Sequence, residues 1–152
     1  MSVIAAGTPA PEFALTKADG EKFTREDLLG KTTVLVFYPF AFSGGCTNQL
    51  KLYEPELATF TSRGATLYAV STDARQSQAA FKDALGSSIE QLSDFEPKGA
   101  GATAFGALHP GGMTTRAIVV IGPDGVVKWS HEEEQLGEVP SVELIHAGLD
   151  AV

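Results

Sequence analysis

The chain contains a single thiol, Cys46, at the end of the run Pro39-Phe-Ala-Phe-Ser43-Gly44-Gly45-Cys46. A cysteine kept only for packing needs none of these neighbours. Proline cannot donate to a sheet ladder, so Pro39 turns the chain out of the apolar strand before it. Gly44 and Gly45 let a backbone approach a small substrate with no side chain between. Ser43 is spaced to cap a helix or to aim its hydroxyl at the sulfur or at a bound oxygen. If a helix starts here, its N-terminus carries about half a positive charge and favours an anionic sulfur. Its unpaired N–H groups can bind an oxygen-rich ligand. The chemistry is that of an exposed, nucleophilic thiol. The competing reading is a small buried hydrophobe, as free cysteines often are.

The surrounding pattern supplies that geometry. Thr33 to Tyr38 (TVLVFY) is continuously apolar and β-branched, as in a strand covered on both faces. Leu50, Tyr53, Leu57 and Phe60 then mark one face of a helix closed by Ser62-Arg-Gly64. Thr66 to Ser71 and Ala117 to Ile121 are further buried strands, with a helix over Gln76–Leu85 stopped by Gly86. Ile89 to Leu92 forms a short strand. Lys98 to Leu108 is a weaker helix, since three glycines lower its propensity. Gly122-Pro-Asp-Gly125 turns the chain into an antiparallel partner, Val126 to His131. Val142, Ile145, Leu149 and Val152 give a final helix. Before all these, Phe13–Thr16 and Lys22–Thr24 are short strands, and Thr24 to Gly30 is one capped turn. The order implies one α/β domain over residues 1–152, a three-layer sandwich around a mixed central sheet.

Residues Pro39-x-x-x-Ser43-x-x-Cys46 resemble the peroxiredoxin active-site motif, Pro-x-x-x-Thr/Ser-x-x-Cys. The likeness extends to APEF (10–13), VFYPFAF before the cysteine, LSDF (92–95) and TTRAIVVIGPDGVV (114–127). It implies a thioredoxin-like fold and a thiol-dependent peroxidase acting on hydrogen peroxide and organic hydroperoxides. By position, Cys46 is the peroxidatic nucleophile and Pro39 shields its sulfenic acid. Ser43 bonds the sulfur and a peroxide oxygen. Arg116 stabilises the thiolate and the leaving oxygen; without the motif it would read as a surface cation. Gly45 and Gln49 are assigned to substrate binding, Gln49 because some members carry glutamine there and many others glutamate. No cofactor is implied. With no second cysteine the sulfenic acid falls to an external thiol, a one-cysteine cycle. That pattern with LSDF-x-P-x-G-A (92–100) is most similar to AhpE-like peroxiredoxins, with the bacterioferritin-comigratory-protein type close behind. The reductants implied are mycothiol with a mycoredoxin, or another glutaredoxin- or thioredoxin-like protein. A homodimer is implied as well, and exposed members of the nine phenylalanines would serve it.

Other classes are disfavoured by the totals. A net charge of −8 opposes nucleic acid and anionic membranes, which need a cationic surface. No apolar stretch approaches the ~20 residues of a membrane helix, and no export signal is evident, so the cytoplasm is expected. His109, His131 and His146 show no metal spacing, and KGAGATAFG (98–106) has the wrong spacing for a nucleotide loop. Asp94 and Phe95 read as packing residues, as does Tyr38. The alternative function is a stoichiometric redox sensor passing oxidation of Cys46 to a partner.

Overall fold

The computed structural model describes residues 2–152. Strands β1 (Ala14–Thr16), β2 (Lys22–Thr24), β3 (Thr32–Phe37), β4 (Ala65–Ser71), β5 (Glu90–Ser93), β6 (Ala117–Ile121) and β7 (Val127–Glu132) form one sheet. Their order is β2-β1-β5-β4-β3-β6-β7. β3, β4 and β5 run parallel, and β6, β7, β1 and β2 join in antiparallel fashion. The mixed sheet is the one expected from the unbroken apolar runs. Every residue of β3 and of β6 is buried, because both faces of these strands are covered.

Side chains alternate between two cores. Leu35, Phe37, Val119 and Ile121 point into one, with Phe13, Phe23, Leu28 and Phe105. Val34, Val36, Ile118 and Val120 point into the other, with Tyr38, Cys46, Leu50, Phe60, Phe81 and Ile145. The second core lies under helices α1 (Gly44–Tyr53), α2 (Leu57–Ser62), α3 (Arg75–Leu85) and α5 (Val142–Asp150). The first lies under the N-terminal segment, a 3-10 turn at Arg25–Leu28 and the short helix α4 (Ala100–Ala104). The three layers are present, with unequal helical cover.

Three elements differ from the sequence pattern. The helix expected through Phe60 breaks into α1 and α2 around a 3-10 turn at Glu54–Glu56. Pro55 lies in that turn, and it has no N–H for the ladder. The apolar periodicity survives the break because Tyr53 and Phe60 still face the core. The expected helix from Lys98 shrinks to α4, bounded by Gly99 and Gly106 at φ of 77° and 71°. Asp94 fixes its start, accepting hydrogen bonds from Gly101 N at 2.9 Å and Ala102 N at 2.8 Å. Finally, Val152 lies beyond α5 and is exposed rather than part of its buried face.

α5 sits close to the sheet because Gly148 has no side chain. A Cβ there would come within 2.7 Å of Trp129 and Val120. This docking brings the segment ahead of α5, with Leu136 and Pro140, over α1 and β6, and so shapes the site described next.

Candidate active site

The site forms where β3 gives way to α1. Tyr38 extends the parallel pairing through its N–H to Val70 O at 2.9 Å, and Thr114 Oγ1 donates to its carbonyl at 2.6 Å. Pro39 follows, buried. The chain then lifts over the sheet. Ala41 N–H donates to Asp73 Oδ2 at 2.8 Å, a carboxylate also held by Ser71 Oγ at 2.7 Å. Phe42 adopts φ of 69°, the left-handed region that non-glycine residues rarely occupy. Its ring is exposed and rests against Phe81, centroids 5.1 Å apart. That turn delivers Ser43 as the N-cap of α1.

Ser43 Oγ accepts from Cys46 N–H at 3.2 Å. Its own hydroxyl proton is thereby left to donate elsewhere. The N–H groups of Gly44 and Gly45 find no acceptor among the described residues, as is usual in a first helical turn. Cys46 Sγ accepts from Phe40 N–H at 3.5 Å. Backbone dipoles therefore present their positive ends around the sulfur from two directions.

Exposure is the expectation that fails. Cys46 is 0% exposed and belongs to the core that holds Val36, Tyr38 and Leu50. The Pro39–Phe42 segment turns back along the first turn of α1 and brings Phe40 N–H onto the sulfur. The aromatic rings of Phe40 and Phe42 take the outer surface in place of the thiol.

Arg116 immediately precedes β6 and is 4% exposed, so it is no surface cation. Its Nε donates to Leu136 O at 2.6 Å and its Nη1 to Gln49 Oε1 at 2.5 Å. Both acceptors are neutral, and no carboxylate forms a salt bridge with it among the described residues. A buried cation without a counter-ion is costly unless something else uses its charge. Nη2 makes no hydrogen bond among the described residues and lies against Gly45, where a Cβ would stand only 2.6 Å from it. Gly45 is thus the residue that lets the guanidinium reach the first turn of α1, next to Cys46.

Gln49 is fully buried, with both ends of its amide engaged. Nε2 donates to Tyr53 Oη at 3.1 Å, and Tyr53 donates to Pro140 O at 2.7 Å. Burial, partly offset by Gln49 and by the Arg116 charge, pushes the Tyr53 phenol up to about 12. Burial likewise pushes the Tyr38 phenol well up; its hydroxyl donates to Gln91 Oε1. The structure brings Pro39, Ser43, Gly45, Cys46, Gln49 and Arg116 into one neighbourhood. Pattern reading missed Tyr53, Asp73 and Thr114. Tyr53 was visible only as one more apolar position on a helix face. Thr114 and Asp73 stand in TTR and STD, where short hydroxyl and carboxyl side chains at strand ends signal backbone capping.

The histidines are occupied elsewhere. His131 pairs with Glu133, His146 with Glu56, and His109 accepts from Gly111 N–H. Among the described residues no group of three metal-ligating side chains converges, and no helix is long and apolar enough to cross a membrane.

A mixed sheet with a lone cysteine in the first turn of the helix after a central strand is a thioredoxin-like arrangement. The comparisons with known proteins agree. Residues 6–130 match the model of the AhpC/TSA family. "Putative peroxiredoxin Rv2521" of Mycobacterium tuberculosis is 36% identical over 133 residues, covering 88% of this chain and 80% of that one. "Alkyl hydroperoxide reductase E" of the same organism is 30% identical over 135 residues, 88% of each chain. The crystal structure of Enterococcus faecalis AhpC superposes with a TM-score of 0.87 at 26% identity, over 99% of this chain and 92% of that one. The chain belongs to the AhpC/TSA family and is a peroxiredoxin enzyme.

Proposed function

We propose that this peroxiredoxin reduces hydrogen peroxide and organic hydroperoxides through Cys46 alone. The thiolate sulfur attacks the terminal peroxide oxygen. The S–O bond forms as the O–O bond breaks, leaving a sulfenic acid on Cys46 and an alkoxide or hydroxide that takes a proton from solvent. An external thiol then condenses with the sulfenic acid, releasing water and forming a mixed disulfide. A second thiol displaces Cys46 and restores it.

The observation that carries this reading is Arg116: a buried guanidinium, in no salt bridge among the described residues, held against the turn that bears the cysteine. Charge builds on the departing oxygen as the O–O bond stretches, and fixed donors act most strongly there. Arg116 Nη2, the Ser43 hydroxyl and the Gly44 and Gly45 N–H groups are the donors. Gln49 takes a positioning role instead of a substrate-binding one, because both ends of its amide are already bonded. Pro39, buried just beyond the end of β3, shields the sulfenic acid from the strand side. The buried sulfur is reached when the Phe40–Phe42 segment shifts outward, a movement favoured by the strained backbone of Phe42.

These 152 residues hold no second cysteine, which supports resolution by an external thiol. The resemblance to AhpE-like peroxiredoxins carried by LSDF-x-P-x-G-A (92–100) supports mycothiol with a mycoredoxin, or another glutaredoxin- or thioredoxin-like protein, as reductant. It also supports a homodimer working in the cytoplasm, with the exposed rings of Phe40, Phe42 and Phe95 available to the interface. The test is intact mass after one equivalent of peroxide, with and without thiol, followed by peroxide consumption under excess thiol. One oxygen added to Cys46, removed by thiol, with many turnovers is the expected result. Oxidation that stops at one equivalent in the presence of thiol would instead leave a stoichiometric sensor.

A further inference from the structure

A cavity whose lining includes none of the candidate active-site residues lies between α3, β5 and the β1–β2 turn. Its volume is about 250 Å³, and it is bounded by Lys17, Arg75, Lys82, Gln78 and Gln91, with Asp19 and Glu90 also on its rim. We infer that this cavity binds a small oxyanion, a carboxylate or phosphate group, by the combined charge of Lys17, Arg75 and Lys82 and the side-chain amide of Gln91.

Three observations carry the inference. The first concerns charge. In a chain of net charge −8, three of the eleven Lys and Arg residues converge on one cavity. All three are half-buried, and none forms a salt bridge among the described residues, even with Asp19 and Glu90 nearby. Asp19 Oδ1 instead accepts from Glu21 N–H at 2.9 Å. Unpaired cations around a concave, partly desolvated surface attract anions far better than scattered surface lysines do.

The second is an orphan donor. Gln91 is 6% exposed, and Tyr38 Oη takes its Oε1, which leaves Nε2 buried with no hydrogen-bond partner among the described residues. A buried donor without an acceptor is costly, and native proteins rarely leave one unexplained. Gln91 also lines the cavity, and a turn of its side-chain amide would bring Nε2 to an oxygen of a bound anion. Gln78 beside it is spent on the fold, since its Nε2 donates to Ser71 Oγ and Leu92 O.

The third is shape. Arg75 Nη1 donates to Ala18 O at 3.0 Å, and its guanidinium lies over Gly20. The cation is thereby fixed at the rim rather than free in solvent. The cavity falls below the ~300–1,000 Å³ of sites for drug-sized ligands, so a small anion suits it.

The test is a heteronuclear NMR titration of the full chain. Inorganic phosphate is added in one arm and succinate in the other, with sodium chloride holding ionic strength constant. Saturable shifts of the Gln91 side-chain amide and of the Lys17–Gly20 backbone amides are expected. Response to phosphate alone, succinate alone or both identifies the preferred group and supports the site. The double variant Arg75→Gln/Lys82→Gln should weaken that response at least tenfold while distant resonances stay in place. Shifts no larger than the chloride control overturn the inference. So does saturation that leaves the Gln91 amide unmoved, or a response that the double variant retains.

Discussion

Arg116 Nη1 donates to Gln49 Oε1 at 2.5 Å, and the partners at the other end of that amide hold it in the same orientation. Pro140 offers only a carbonyl, so Tyr53 must donate to it and accept from Gln49. Gln49 therefore presents Nε2 to the phenol and Oε1 to the guanidinium. The all-donor guanidinium and the proline carbonyl thus fix the same direction at the two ends of a chain of hydrogen bonds beside Cys46.

Removing that cation tests transition-state assistance directly. An ordinary thiol of pKa ~8.5 is roughly 5–10% ionised near neutral pH. Complete ionisation thus gains only about ten- to twenty-fold, and part is lost because a less basic thiolate is a weaker nucleophile. Arg116→Ala should lower the second-order rate of peroxide reaction by about 10²–10³. That loss exceeds any change in thiolate fraction, which ultraviolet absorbance of the thiolate measures separately. Equal losses in the two measurements would count against the assignment.

The relay through Tyr53 predicts a smaller effect with a pH signature. Tyr53→Phe leaves the ring in the core but removes the acceptor of Gln49 Nε2 and so loosens the amide that anchors Arg116. Hydrogen bonds to charged groups contribute about 1.5–3 kcal/mol, so a rate loss of roughly ten- to a hundred-fold is expected if the Arg116 anchor is lost. The phenol also titrates differently in the two states, at 10.0 unperturbed and about 12 when folded. Burial favours its neutral form, so its contribution is fully present below pH 10 and disappears as pH rises towards 12. Denaturant unfolding of the wild type should lose about 2–3 kcal/mol over that interval from this group, and Tyr38 adds to it. The variant's decline should be shallower. Identical slopes would remove Tyr53 from the account.

Much of this architecture was legible because it rests on local chemistry. Unbroken apolar runs gave β3, β4 and β6, and the Ser43–Cys46 spacing gave the cap of α1. Pro55 was equally visible, yet the apolar periodicity outweighed it, since both halves of the broken helix keep their faces on the core. The relay was hidden for a different reason. Tyr53 and Pro140 lie 87 positions apart, and only the docking of α5 through Gly148 brings them together. The burial of Cys46 was hidden too, because it depends on how the Pro39–Phe42 segment turns back along α1. No residue type in that stretch announces it.

Ser43 caps Cys46 N–H with its oxygen, and the proposed mechanism gives its hydroxyl proton to a peroxide oxygen; the two roles are separable. Ser43→Ala removes both and should cost about 1 kcal/mol of stability along with activity. Ser43→Asn keeps a capping oxygen and has no hydroxyl. It should unfold within a few tenths of a kcal/mol of wild type yet react with peroxide at least tenfold more slowly. If its rate matches wild type, the hydroxyl takes no part in the chemistry and the residue is only a cap.

Gly45 gives the sharpest separation of stability from activity. Alanine is the better helix former by about 1 kcal/mol in a helix interior, so propensity alone favours Gly45→Ala. The new Cβ, however, would stand 2.6 Å from Arg116 Nη2. The guanidinium cannot swing away freely, because Nε is held by Leu136 and Nη1 by Gln49. Either those bonds stretch or α1 shifts, and in both cases the cation leaves its place beside the cysteine turn. The expected result is unfolding stability within about 1 kcal/mol of wild type and a peroxide rate reduced by an order of magnitude or more. Stopped-flow oxidation and denaturant unfolding on the same preparation measure both. A variant as fast as wild type would show that the close approach of Arg116 to the first turn of α1 is not what drives the reaction.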